Sequence, residues 1–373
     1  MKILQIIQKR QRRGAEIFAS QLASHLITGG NEVKMVTLYS GNENLPFAGE
    51  IIELNRSENK RFYDVAGWKS LASEIKRFNP DIVQANAADS LKFAVFSKLL
   101  YRWSAPLVFR NANKVSSFIN SRHKRFFNQM LLGSVAHVIS VSDLCRQDFM
   151  ATYSYPEKRI TTIPIGVEVT LHPRTGVLID RLKGGKIVIH VASFVPEKNH
   201  LGVLRIVQKL AERKRDFKVL FIGEGKLRSA VEKQILERGI SEYVFVLGAQ
   251  EDVPSFVAHA DLLILPSLIE GLPGVILEAM VCRTPVVAYD VGGVSEVVKN
   301  CTTGFLVPAG DEAAFIETVD QVLFGRLSGF TQEIEQNAYA ATLQNFDNRL
   351  IAKRFSEAYE RILKNNFAGR SGK

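Results

Sequence analysis

Two glutamates, Glu270 and Glu278, stand with seven residues between them, around a loop of Gly271, Leu272, Pro273 and Gly274. Carboxylates accept hydrogen bonds from hydroxyl groups, and a charge-assisted bond contributes about 1.5–3 kcal/mol. The run that follows, residues 275–280, reads as the start of a helix. Its first unpaired amides and the positive end of its dipole face the loop. That suits a phosphate, and Gly271 and Gly274 let the backbone approach it closely. Two acids beside a phosphate repel it unless they hold something hydroxylated. A nucleotide sugar meets that condition, with a sugar on one side of the phosphates and a ribose on the other.

The elements around this loop are legible. It follows an apolar run at residues 262–265, bounded like a buried strand, and precedes another strand at 286–289. Open α/β sheets bind ligands at such carboxyl-end loops. Further strands are expected at 187–191, 219–222, 244–247 and 305–307, with helices between them. This alternation predicts a parallel, doubly wound sheet whose loops share one rim. Three more loops belong to that rim. One, at residues 192–199, carries Ser193 and Lys198, whose ammonium can meet phosphate oxygens. The second holds Gly223, Glu224 and Gly225, and the third Gly248 and Ala249.

The first half opens the same way, with a strand at 2–7, a basic loop containing Arg12, Arg13 and Gly14, a helix at about 15–27 and a strand at 33–38. It has no GxGxxG, which argues against a dinucleotide-binding dehydrogenase. A strand at 80–86 ends in Asn86, and one at 106–110 leads to Asn111. Residues 121–132, SRHKRFFNQMLL, are expected to be helical, with basic and aromatic residues together. That composition suits a membrane interface and also an ordinary helix with one buried face. A strand at 136–141 follows, and Ser142 is placed to cap the next helix. A final helix is expected over 348–363, with a loose polar tail after Asn365.

The combination of Glu270, Glu278 and the downstream AMVCRTPVVAYDVGGVSEVV, including Glu296, resembles the donor-site signature of family 4 glycosyltransferases. The resemblance spans nearly the whole chain and is strongest over residues 186–310. It implies the GT-B fold, two Rossmann-like parallel-sheet domains facing across a cleft, with the last helix crossing back to the first domain. The domains are then 1–170 for the acceptor, a linker at 171–185, 186–347 for the donor, and 348–373 for the crossing helix and tail. It implies that Glu270 approaches the donor sugar and Glu278 the ribose. Lys198, Ser193 and the amides of Val275 and Ile276 would meet the diphosphate, and the Gly248–Ala249 loop the base. Gly14 would lie near the reacting sugar, Arg12 and Arg13 toward a phosphate, and Asn86 and Asn111 on the acceptor side. The family's usual His is Asn86 here, its usual Arg is Ser193, and the first of two adjacent glycines is Arg13. The implied reaction moves a hexose-type sugar from a nucleoside-diphosphate sugar to an acceptor hydroxyl with retention. Glu270 and Lys198 are the expected catalytic residues. UDP-sugar is the favoured donor and GDP-sugar the second option, with no cofactor and no metal. Two rivals stay open: a nucleotide-sugar epimerase on the same fold, and a binding protein that has lost transfer.

Composition sets the outer bounds. The 373 residues are too many for one ordinary core, so two domains are the default. The net charge is +10. Residues 1–175 hold 24 Lys and Arg against 14 Asp and Glu, so this half carries the entire excess. Such asymmetry points to an anionic partner. On charge alone an anionic lipid, a phosphorylated lipid carrier or a nucleic acid would serve; the family resemblance added to it favours an anionic membrane surface or a phosphorylated, lipid-linked glycan acceptor over nucleic acid, as in bacterial lipopolysaccharide, O-antigen or capsule synthesis. Three scattered cysteines suggest a reducing cytoplasm. No run is long enough for a signal peptide or a membrane span. The expected location is cytoplasmic, with peripheral attachment at the inner face of the membrane as the option the charge opens.

Overall fold

A computed structural model describes residues 1–60, 63–169 and 185–371, with side chains through Asn366. The linker expected at 171–185 lies outside the described residues except for Gly185. The chain forms two compact bodies, Met1–Gly166 with Asn348–Lys373, and Val167–Asp347.

In the first body β1 (Lys2–Ile7), α1 (Gly14–Thr28), β2 (Glu32–Tyr39) and β3 (Ile51–Arg56) are followed by α2 (Val65–Phe78), β4 (Ile82–Ala85) and α3 (Ala88–Tyr101). Then come β5 (Leu107–Asn111), α4 (Arg122–Leu132), β6 (His137–Ser140), α5 (Asp143–Tyr153) and β7 (Ile160–Thr162). Among the described residues the strands form one sheet in the order β3-β2-β1-β4-β5-β6-β7, and every pairing is parallel. Strand β1 lies inside the sheet between β2 and β4, and Ile3, Leu4 and Ile6 are fully buried because helices cover both faces of such a sheet. The sequence reading places nothing between residues 38 and 80, yet β3 and α2 lie there. Strand β3 is an edge strand of half-exposed residues, so it lacks the buried apolar run that marks its neighbours.

The last helix, α13 (Asn348–Ser371), belongs to this first body. Phe355 packs 6.0 Å from the Phe18 ring on α1. The buried Tyr359 hydroxyl donates to Gln84 Oε1 on β4 at 2.7 Å. Asn348 Nδ2 donates to Gln21 Oε1 at 3.3 Å.

The second body contains β8 (Lys186–Val191), α6 (His200–Glu212), β9 (Phe217–Ile222), α7 (Arg228–Glu237), β10 (Val244–Gly248), α8 (Val253–Ala258) and β11 (Leu262–Leu265). It continues through α9 (Gly274–Val281), β12 (Val286–Asp290), α10 (Val294–Val297), β13 (Phe305–Pro308), α11 (Glu312–Phe324) and α12 (Thr331–Asn345). Its sheet, among the described residues, runs β10-β9-β8-β11-β12-β13. All pairings are again parallel. The anticipated strands are present, most of them longer by a residue or two at one end. Strands β8 and β11 occupy the middle, so the loops after them leave the sheet side by side.

Candidate functional site

Three consecutive residues after β8 are tied to the loop after β11. Glu197 O accepts from Leu268 N at 2.8 Å. Lys198 Nζ donates to Glu270 Oε1 at 2.5 Å. Asn199 Nδ2 donates to Pro266 O at 3.0 Å, while its own Oδ1 caps α6 through Gly202 N. Asn199 holds φ +53°, the left-handed region that asparagine tolerates best among side-chain residues. These links fix Lys198 and Glu270 against each other. Glu270 is only 6% exposed, and Lys198 neutralises it.

The same loop is supported from behind. Gly292, just after β12, has φ +54°, and a Cβ there would lie 1.9 Å from Glu270 O. Gly293 N donates to Gly271 O at 2.7 Å. The Asp-Val-Gly-Gly run thus lets two loops touch backbone to backbone.

Helix α9 begins at Gly274, with Pro273 as its N-cap and no side-chain cap. Ile276 N reaches back to Pro273 O at 3.2 Å, so of the two amides expected to face phosphate it is already engaged. Val275 leads the half-buried edge of this turn, and Glu278 lies one turn on, also half-buried. Leu272 and Pro273, within the loop, are buried.

The remaining rim loops close around the first. Gly223 N donates to Gly248 O at 2.9 Å, and Phe194 N donates to Glu224 O at 3.1 Å. Gly223, at φ +144°, leaves room for Ala192 O, which a Cβ would meet at 2.1 Å. Ser193 and Gly248 are therefore neighbours through this bridge, and Ala249 follows directly on the exposed side. Below the loop lie His190 and His200, with rings 4.8 Å apart and His200 stacked on Phe194 at 4.1 Å. Burial pulls their pKa values down to about 4 and about 3, with His190 and Lys198 adding to the effect on His200. Cys282, behind α9, is pushed up to about 12 by burial and by Glu278, which keeps it a thiol.

In the first body the expected residues divide. Gly14 opens α1 at an exposed position with open space around it. Arg13, its N-cap, is exposed, and Arg12 Nη1 donates to Asn44 O at 3.0 Å. Asn86 is instead a buried hub. Its Nδ2 donates to Gln5 Oε1 (2.8 Å) and Ile6 O (3.3 Å), and its Oδ1 accepts from Gln84 Nε2 (3.0 Å) and Arg110 Nε (3.2 Å). Asn111 ends β5 with Nδ2 directed to Ser140 Oγ and Cys145 O. Both amides expected on the acceptor side are thus committed inside the protein. No group of three or more His, Cys, Asp or Glu side chains that could hold a metal ion occurs among the described residues.

Comparison with known proteins decides the family. Residues 12–171 match the model for Glycosyltransferase Family 4, and residues 179–341 match that for Glycosyl transferases group 1. The chain belongs to the group 1, family 4 glycosyltransferases. It is 30% identical over 177 residues to 2-deoxystreptamine glucosyltransferase of Streptomyces kanamyceticus, which covers 45% of this chain and 46% of that enzyme. The first relatives are thus matched over about half their length or less. A longer match, 24% identical over 84% of this chain and 86% of the relative, joins it to N,N'-diacetylbacillosaminyl-diphospho-undecaprenol alpha-1,3-N-acetylgalactosaminyltransferase of Campylobacter jejuni. In fold it is similar to Anabaena HepE crystallised with UDP and glucose, at TM-score 0.82 and 20% identity over 97% of this chain and 100% of that one. It is equally similar to sucrose-phosphate synthase of Thermosynechococcus elongatus, at TM-score 0.83 and 18% identity over 98% and 99%.

Two residues of this glycosyltransferase escape the sequence reading. Arg110, on β5, is buried, stacks over Phe18 at 4.9 Å and donates through Nη2 to Ala15 O at 3.2 Å, at the start of α1. Burial lowers its pKa to about 10, with Glu16 opposing the shift. Glu16, in the first turn of α1, is also buried; burial raises its pKa, against a hydrogen bond from Gln11 at 2.9 Å. An arginine inside the apolar run LVFRN is the signal that could have found the first. Together these groups position the turn that carries Gly14.

Proposed function

We propose that this glycosyltransferase moves a hexose-type sugar from a nucleoside-diphosphate sugar, UDP-linked by preference and GDP-linked as second choice, to a hydroxyl of a lipid-linked or glycan acceptor, with retention of anomeric configuration. The observation that carries the reading is the Lys198–Glu270 pair, cross-linked on both sides beside the side-chain-uncapped start of α9. On donor binding Lys198 turns from Glu270 to the diphosphate, and Glu270, released, accepts from sugar hydroxyls. Glu278 holds the ribose, and the Gly248–Ala249 loop faces the base. As the bond from anomeric carbon to diphosphate oxygen breaks, its electron pair leaves with the diphosphate. Lys198 and the first turn of α9 stabilise the charge that builds there, so the chain's own groups do the work of a metal. The acceptor oxygen bonds to the same face of the sugar, and its proton passes to the departing phosphate oxygen.

Support for the hexose comes from relatives named 2-deoxystreptamine glucosyltransferase and 2-deoxystreptamine N-acetyl-D-glucosaminyltransferase. The Campylobacter relative named for an undecaprenol-linked acceptor supports a lipid carrier. The basic first body supports an anionic acceptor and a location on the inner membrane face, in surface polysaccharide assembly. The test is product analysis with a polyprenyl-diphosphate-linked sugar as acceptor. An anomeric proton coupling that matches the donor's is expected; an inverted linkage, or donor epimerised without transfer, overturns the reading.

A further inference from the structure

Helix α4 is built inside out. Of its eleven residues only Leu131 and Leu132 are buried. At 3.6 residues per turn, Phe126 and Met130 fall on the side opposite that pair. They are 65% and 59% exposed. The helix is nevertheless fixed in place. Ser121 caps it through Lys124 N, and Asn128 Nδ2 and Gln129 Nε2 reach Tyr153 OH and O at 3.3 and 2.9 Å. The apolar crest is therefore held outward by a rigid inner face.

The crest extends onto α3. Phe127 lies 6.4 Å from the Phe96 ring. Leu99 and Leu100, one turn beyond Phe96, are 60% and 52% exposed. The stretch of chain that carries this strip is basic, with Asp148 of α5 as an acid beside it, near Tyr153. Residues 90–142 contain eight Lys and Arg and no Asp or Glu, which is most of the chain's excess of +10. Arg122 and Arg125 stand exposed beside Phe126.

We infer that α4, with the end of α3, docks on an anionic phospholipid surface, Phe126 and Met130 entering the headgroup boundary and Arg122 and Arg125 meeting lipid phosphates. Exposed aromatics among basic side chains, on a helix without acids, match that surface in both polarity and charge. No helix among the described residues is long and apolar enough to cross a membrane, so the contact is interfacial. Docking would bring the first body to the plane where a lipid-linked acceptor sits. The inference rests on that acceptor reading for its purpose only.

The test is co-sedimentation of the full chain with vesicles of phosphatidylcholine alone and of phosphatidylcholine mixed with phosphatidylglycerol. Wild type should partition to the anionic vesicles and be released by salt. Arg122→Gln with Arg125→Gln should weaken partitioning about twentyfold, and Phe126→Ser with Met130→Ser about tenfold or more. Both variants should keep the wild-type melting temperature and acceptor-free donor hydrolysis. Hydrolysis reads the donor site and sedimentation reads lipid, so the two readings fail separately. Equal binding to both vesicle types, or variants that partition like wild type, overturns the inference. So does a wild-type dimer in vesicle-free buffer that Phe126→Ser with Met130→Ser dissociates, which would make the crest a self-association surface. Should the serine variant melt early, the glutamine variant decides alone.

Discussion

Gly292 touches Glu270 backbone to backbone: its missing Cβ would sit 1.9 Å from the Glu270 carbonyl oxygen, at φ +54°. Alanine there must either push the Glu270 loop forward or give up the left-handed turn. Gly292→Ala should lose about 2–4 kcal/mol of stability in the second body and most nucleotide-sugar binding. Gly239→Ala is the control. Its φ of +64° is equally strained, but nothing lies within 4 Å, so it should lose about 1 kcal/mol and leave binding intact. Thermal melts and calorimetric titration of both variants check this.

Lys198 and Glu270 neutralise each other in a site that is nearly closed to water at Glu270. Lys198→Met should leave a buried carboxylate without its cation, lowering stability by roughly 1–3 kcal/mol. It should also weaken donor binding by ten- to hundredfold, about one charge-assisted contact. Adding Glu270→Gln should restore much of the stability and none of the turnover. A double-mutant cycle measured in melting and in turnover separates the two effects.

The buried histidines make the second body sensitive to acid. His190 and His200 have folded pKa values of about 4 and about 3, below the ordinary 6.5, because burial opposes the charged ring. Below pH 6.5 the unfolded chain takes up protons that the folded chain refuses. Their stabilising contribution is therefore complete above pH 6.5 and is lost as pH falls toward 4, at up to about 1.4 kcal/mol per pH unit for each ring. His200→Phe preserves the stack on Phe194 and removes one titrating group. It should retain about 2 kcal/mol more of its neutral-pH stability at pH 5 than wild type does, read from melting curves at the two pH values.

Tyr359 anchors the last helix to the first body. Tyr359→Phe leaves the buried Gln84 Oε1 without its 2.7 Å donor, which should lower stability by about 1–3 kcal/mol. On the proposed reading nucleotide binding belongs to the other body and should not change. A parallel loss of donor affinity in titration would contradict that division.

The sequence disclosed the sheets because parallel strands buried on both faces read as bare apolar runs, as residues 262–265 do. It disclosed the loop from Glu270 to Gly274 because glycines mark close backbone contact there, as Gly293 N to Gly271 O shows. It left β3 unseen because an edge strand needs no such run. Asn86 and Asn111 looked ligand-facing at strand ends, but their amides are consumed by Gln5, Ile6, Ser140 and Cys145. Side-chain direction at a strand's end depends on neighbours far away in the chain, which spacing alone does not report. The same holds for α4: its pattern fits a buried face, and only the packing shows that Phe126 and Met130 point outward.

The most direct test of the donor site is release of nucleoside diphosphate from a panel of nucleotide sugars, without acceptor, by wild type and Glu270→Gln. Slow release from one donor by the wild type is expected, with a loss of about a hundredfold or more in the variant and nucleotide binding kept. Equal release by both proteins would remove Glu270 from the site and with it the proposed mechanism.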